Sequence, residues 1–435
     1  MTSHQVQLLF VDIALILFLA RGLGYLAKRV GQPPVVGEIL AGVLLGPTLL
    51  PAAVADTLFP SDVKALLTGM ANVGVALFMF GVGLELDAAA LRGRGRSTAG
   101  ATLGSILVPF ALGLGLAAYL ARDYAPDHRA GFVVFFGLAV SVTAFPVLAR
   151  ILADRGMSST AVGGLALATA AAVDVVAWAA LASVQAVGGD GSGHWKVALA
   201  LPFLGVMTVI VRPVLRRLLM RGGRPVALSG HLLVSVLALA LLSAAATEAM
   251  GMHFIFGAFL CGAVMPRLGA DTLREEIHRR TEQVTSLLLP VYFVVAGLKV
   301  DLSGIDGGAL LDLGLILVVA VLGKFGGTYL GARTQGLQPR PAAALGVLMN
   351  TRGLTELVIL GVGLQLGLLD DSLYSLMVVM AVVTTAMTGP LLSRVYGRPV
   401  ELPPTPDRSR VRSQLPADRR KDYEDGEHEA RAAAQ

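Results

Sequence analysis

Cysteine is nearly missing from these 435 residues. Cys261 stands alone, which excludes an intramolecular disulfide and a cysteine metal cluster. The seven histidines are scattered, so no histidine metal site is expected either. Charge is scarce as well: Asp, Glu, Lys and Arg make up 15% of the chain, against roughly a quarter in a soluble one. No nucleophile–base or metal-ligand constellation appears, so neither an enzyme nor a resident cofactor is expected. What is present is apolar. Hydrophobic residues account for 55% and the mean hydropathy is +0.71. The 51 glycines suit helices that pack closely in a bilayer. The composition is that of an all-α polytopic membrane protein.

Apolar windows of spanning length fall at about 6–27, 33–50, 66–85, 98–120, 130–152, 159–186, 196–219, 227–249, 252–268, 282–298, 309–331, 341–366 and 372–395. That makes about 13 transmembrane helices, the ninth being the shortest. The residues before the first window hold no Lys or Arg, so it reads as a retained span rather than a signal peptide. An odd count puts the termini on opposite sides. With the N-terminus outside, 27 of the 35 basic residues face the cytoplasm and 5 face out. That bias is a strong positive-inside signal and predicts N-out/C-in. The basic residues line one membrane face, and no nucleic-acid partner is expected. The segment 397–435 is polar, mixed in charge and free of apolar periodicity, so it reads as a disordered cytoplasmic tail. Its basic stretch from Arg408 to Lys421 either binds anionic lipid or is simply solvated.

The sixth window carries Asp174 near its middle and no other charge. A carboxylate at that depth costs roughly 2.5–3.5 kcal/mol on insertion scales. It is tolerated only where it meets a partner, water or a cation. Two other windows are interrupted. The fifth contains Ser141, Thr143 and Pro146, and the twelfth contains Asn350, Thr351, Arg352 and Gly353. Proline removes a backbone donor and frees a carbonyl one turn earlier. Helices broken at mid-membrane survive where they line a cavity or pack within protein. The two breaks occupy the middle of two three-window sets, 98–186 and 309–395, whose offset of seven windows inverts one relative to the other. Such paired breaks in inverted repeats, crossing at mid-membrane, point to a transporter site. Lys324, in the eleventh window, is the second costly residue. It either approaches Asp174 or braces the broken helices. Glu356, one turn after Arg352, is expected to pair with it locally.

The stretches SVTAFPVLAR (141–150), AAAVDVVAW (170–178), GKFGGTYLGAR (323–333) and MNTRGLTELV (349–358) stand in that order. With QPPVVGEILAGVLLGP (32–47) they resemble the monovalent cation:proton antiporters of the sodium/hydrogen exchanger superfamily, nearest the bacterial Kef-like and plant CHX-like branch. The resemblance covers about residues 5–395. It implies a homodimer in which a mobile core (about 98–186 and 309–395) slides against an interface domain (about 6–85 and 196–298). Together these make a transmembrane domain over 1–396. It also implies that Asp174 alternately binds cation and proton, that Thr143 is a cation contact, and that Lys324 is the core lysine. Asn350, Thr351 and Arg352 would support the second break. Members of the family usually carry Asp or Asn immediately before the essential aspartate; here that position is Val173. A second carboxylate is therefore lacking, and with it the usual support for two-proton exchange.

The residues allow the same mechanism without the family. One carboxylate cannot hold a proton and a cation together, so the two compete at Asp174. Hydroxyls and freed carbonyls near Thr143 and Asn350 suit a hard monovalent ion, Na+ or K+. The expected protein is a secondary active antiporter for ion transport and pH homeostasis, multi-pass in the lipid bilayer of the cell (plasma or inner) membrane. The alternatives are a cation channel, although no loop resembles a carbonyl selectivity filter, and a sodium-coupled organic-solute symporter on a similar core. Of the remaining polar residues, Glu38 and Glu85 lie near the membrane boundaries and read as an ion funnel or as boundary charges, and Asp12 and Arg21 either pair with neighbours or, for Arg21, snorkel to the interface. Gly42 and Gly46 form a GxxxG step for packing within the chain or between copies.

Overall fold

A computed structural model describes residues 2–396 apart from 86–94, 125–128, 158–159, 189–198, 222–223, 251 and 267–270. The expected tail lies outside the described residues. The described residues are helical, with one two-residue β-ladder among them, β1 (Met220–Arg221) against β2 (Arg224–Pro225), in antiparallel register. Nine described helices, counting the interrupted fifth window as one, are long and apolar enough to cross a membrane. Shorter helices occupy the other windows.

In the first half, α1 (Ser3–Arg29) begins at a capping box. Thr2 accepts from the Gln5 N–H at 3.3 Å, and the Gln5 side chain accepts from the Thr2 N–H at 2.7 Å. It is followed by α2 (Pro34–Leu45), α3 (Ala52–Leu58), α4 (Ser61–Glu85) and α5 (Gly95–Tyr124). The fifth window is α6 (Arg129–Ser141) and α7 (Phe145–Asp154), and the sixth is α8 (Ala161–Gly188). The seventh window holds α9 (Ala200–Val206), a π-helical turn (Met207–Val211) and α10 (Arg212–Leu219). Pro213, in the first turn of α10, offers no N–H to the preceding ladder. Then come α11 (Gly230–Ala249), the nine-residue α12 (Ile255–Ala263) and α13 (Asp271–Leu298). The last three windows are α14 (Gly307–Thr334), the pair α15 (Pro339–Leu348) and α16 (Leu354–Gln365), and α17 (Asp371–Tyr396).

The helices sort into two groups by what they pack on. One comprises α1, α2, α4, α11, α12 and α13; the other comprises α5–α8 and α14–α17. The main contacts between groups are α17 on α2 and α16 on α13. In the second group α5 and α14 run antiparallel, Gly100 lying on Gly331 and Gly104 on Gly327. A Cβ at Gly327 would stand 2.2 Å from the Gly104 carbonyl oxygen. The backbones touch because neither helix carries a side chain there. The outer faces are apolar, with Phe10, Phe18, Leu310 and Leu322 exposed, as lipid contact requires. Gly42 packs on Val294 and Gly297 of α13, so its GxxxG step serves a contact inside the chain.

Candidate functional site

Both interruptions fall at mid-chain of their windows, at residues 142–144 and 349–353. Pro146 sits in the first turn of α7, where its missing N–H has no intrahelical use. The two non-helical segments are joined by hydrogen bonds. The Ala144 N–H donates to the Thr351 carbonyl at 3.0 Å, and Thr143 Oγ1 donates to the Met349 carbonyl at 2.9 Å. This junction brings four helix ends together: the C-termini of α6 and α15 and the N-termini of α7 and α16.

The buried charges follow the helix dipoles. Helix C-termini carry unsatisfied carbonyls and attract cations, and N-termini attract anions. Lys324 Nζ donates to the carbonyl of Ser141, the last residue of α6, and to that of Ser105 on α5 at 3.0 Å. Arg352 donates to the α6 carbonyls of Ala139, at 2.9 Å, and Val140. Both cations thus cap one half-helix. Glu356, in the first turn of α16, pairs with Arg352 at 2.5 Å. Arg352 and Glu356 are both buried, as is Lys324. The backbone of Arg352 is held by Thr385 of α17, which accepts from its N–H at 2.8 Å and donates to its carbonyl at 2.9 Å.

Asp174 lies at the N-terminus of the other half-helix. It is buried on α8 and accepts from the backbone N–H of Phe145, the first residue of α7. Its Oδ1 has no hydrogen-bond partner. Lys324 is within electrostatic reach of Asp174, but no ion pair within 4.0 Å joins them. Of the two roles open to Lys324, its hydrogen bonds serve the brace. Val173 is buried in the apolar cluster that also holds Leu348 and Met349. Asn350 Nδ2 donates to Gly346 at 3.1 Å, and its Oδ1 is buried without a partner. Ser141 and Thr351 turn their hydroxyls back onto Leu138 and Leu348, closing their own helix ends.

Formally the cluster holds Lys324 and Arg352 against Asp174 and Glu356, and is neutral. Of the two carboxylates, Glu356 has a short ion pair and Asp174 has none. Asp174 Oδ1 and Asn350 Oδ1 are both hard oxygen acceptors. Among the described residues no three His, Cys, Asp or Glu are grouped as a metal site. Ser105 and Thr385 escape a reading of the sequence, because a Ser or Thr in an apolar helix carries no local signal. Asp12 was expected to pair with a neighbour; instead it is buried and neither carboxylate oxygen has a partner. Arg21 donates to the Ser286 carbonyl at 3.0 Å.

A family profile described as "sodium/hydrogen exchanger, transmembrane" matches residues 14–396. The Na+/H+ antiporter NhaS4 of Synechocystis is 37% identical over 410 residues, covering 92% of this chain and all of that protein. Cation/H+ antiporter 17 of Arabidopsis thaliana is 38% identical over 91% of this chain, which spans about half (49%) of that longer protein. In fold, the sodium proton antiporter MjNhaP1 of Methanocaldococcus jannaschii superposes with a TM-score of 0.66 at 14% identity, covering 90% of this chain and 98% of that one.

Proposed function

The chain belongs to the sodium/hydrogen exchanger transmembrane family, and from that premise we propose that it exchanges a monovalent cation, Na+ or K+, for H+ by alternating access at Asp174. The observation that carries this reading is the buried Asp174 carboxylate, with Oδ1 unpartnered, at the N-terminus of α7 beside the junction. An isolated carboxylate in a low-dielectric interior is neutralised by whatever positive charge reaches it. Proton and cation therefore compete. Thr143 and Asn350 complete the shell of oxygens around a cation. Lys324, Arg352 and Glu356 hold the half-helices in register.

Helices α5–α8 and α14–α17 form the moving core, and the α1, α2, α4, α11–α13 group forms the scaffold that pairs with a second copy. The scarcity of contacts between the groups supports this division. The chain runs N-out/C-in in the cell membrane. On that orientation the recess beside Glu85 and Arg150, about 560 Å³, opens to the cytoplasm. The opposite end, closed around Tyr374 and Lys299, has only about 50 Å³. On this reading the arrangement described is the inward-open one.

The charge count bears on stoichiometry. The four buried charges sum to zero when Asp174 is empty. Binding H+ or a monovalent cation makes the sum +1 in either case. With Val173 unable to carry a proton, both half-cycles move the same charge in opposite directions, and exchange is one-for-one and electroneutral. The test is a vesicle assay with an internal pH dye. Adding Na+ or K+ alone is expected to move protons with the parent chain and not with Asp174→Asn. Cation flux without proton movement would show a channel, and uptake of an organic solute driven by Na+ would show a symporter.

A further inference from the structure

Two cavities meet at the boundary between the helix groups. The larger, about 560 Å³, and a smaller one of about 140 Å³ share Phe78, Pro146, Arg150 and Ser286 as walls. They form one recess that ends at the first turn of α7, the half-helix that supplies the backbone donor to Asp174. Glu38 of α2 lines the smaller cavity together with two guanidinium groups that act on it through space, Arg150 of α7 and Arg21 of α1. Neither approaches within the 4.0 Å of an ion pair. Arg21 is occupied by the Ser286 carbonyl at 3.0 Å. Arg150 is exposed to both cavities.

The placement of the two charges gives them opposite allegiance. Glu38 belongs to the group of α1, α2 and α13, whereas Arg150 rides on α7 with α8 and α16. A displacement of one group against the other changes their separation directly. Glu85, at the rim of the same recess, is held 3.1 Å from His278 on α13, within its own group. That pair does not sense such a displacement. Among the described residues, Arg150 and Arg21 are the charged side chains that act on Glu38 through space.

We propose that Glu38 and Arg150 are the gate pair of this recess: apart in the structure described here, they close into a direct ion pair when α7 moves toward α2. Open, the Glu38 carboxylate draws cations toward α7. Closed, it is neutralised by Arg150, and the recess is shut while Asp174 faces the other side. The inference rests on the alternating-access reading above, and its test separates the two.

The experiment uses the full chain with Ser286→Cys as a reporter in the recess wall, labelled by a membrane-impermeant maleimide; the native Cys261 is buried. Glu38→Gln and Arg150→Gln are each expected to raise the labelling rate about fivefold, because the closed state loses its pair. The charge swap Glu38→Arg/Arg150→Glu is expected to bring labelling back toward the parent rate and to recover exchange lost in the single reversals. Singles that label at the parent rate, or a swap that labels like the singles, overturn the gate. Labelling needs no transported ion. If it responds as expected while the parent moves no protons against cations, the gate stands and the exchange reading fails.

Discussion

Arg352→Met is the perturbation whose magnitude the structure defines best. The guanidinium is buried and serves three acceptors: the Ala139 and Val140 carbonyls and Glu356. Methionine approximates the stem and removes every donor. Each stranded carbonyl costs about 1–3 kcal/mol. Breaking a buried ion pair costs about 3–5 kcal/mol, less where the orphaned carboxyl takes up a proton. With the Glu356 carboxylate ionised the sum is about 5–11 kcal/mol, and about 2–6 kcal/mol of it falls at the end of α6. Adding Glu356→Gln removes the orphaned carboxylate and leaves the carbonyls stranded, so the double variant should recover about 1–3 kcal/mol. Thermal unfolding of the purified chain, followed by circular dichroism and repeated in a mild denaturant series, reads both quantities. A loss in Arg352→Met of about 1 kcal/mol, the size of an ordinary substitution, would falsify the claim that this side chain caps the half-helix.

Three further outcomes follow from the same geometry. Thr143→Ala removes one hydroxyl from the junction, so half-saturation for the cation should rise several-fold while the maximal rate changes less; an unchanged half-saturation point would assign Thr143 to packing alone. Exchange should be insensitive to an imposed membrane potential, and a transport current that disappears in Lys324→Gln would instead make that lysine a second proton carrier. Gly327→Ala places a methyl 2.2 Å from the Gly104 carbonyl. Overpacking of that kind costs about 1–3 kcal/mol, so the melting point should fall, whereas Gly326→Ala, with no atom within 4 Å, should leave it in place.

The sequence alone was enough for the helical membrane class and the family, because apolar windows and short ordered motifs are local properties of the chain. It also marked where the fifth and twelfth windows break: a proline and a run of polar residues cannot continue an apolar helix unaided. It singled out Asp174, Lys324 and Arg352 because a charge in such a window is costly wherever it ends up. What it left open was which charge answers which. The sequence favoured Asp174 as the partner of Lys324 over a bracing role at the broken helices, and only the fold puts its ammonium on the Ser141 and Ser105 carbonyls. Those acceptors are backbone atoms 183 and 219 residues away. Any residue offers the same carbonyl, so no side-chain pattern announces it. The convergence of Lys324 and Arg352 on one helix end was equally hidden, since a half-helix has an uncapped terminus only once the chain has broken and folded. Asp12 shows the converse: its cost is legible in the sequence, but its lack of any partner is a property of the packing around it. Local chemistry decides which residues are expensive to bury, and the tertiary structure decides what offsets them.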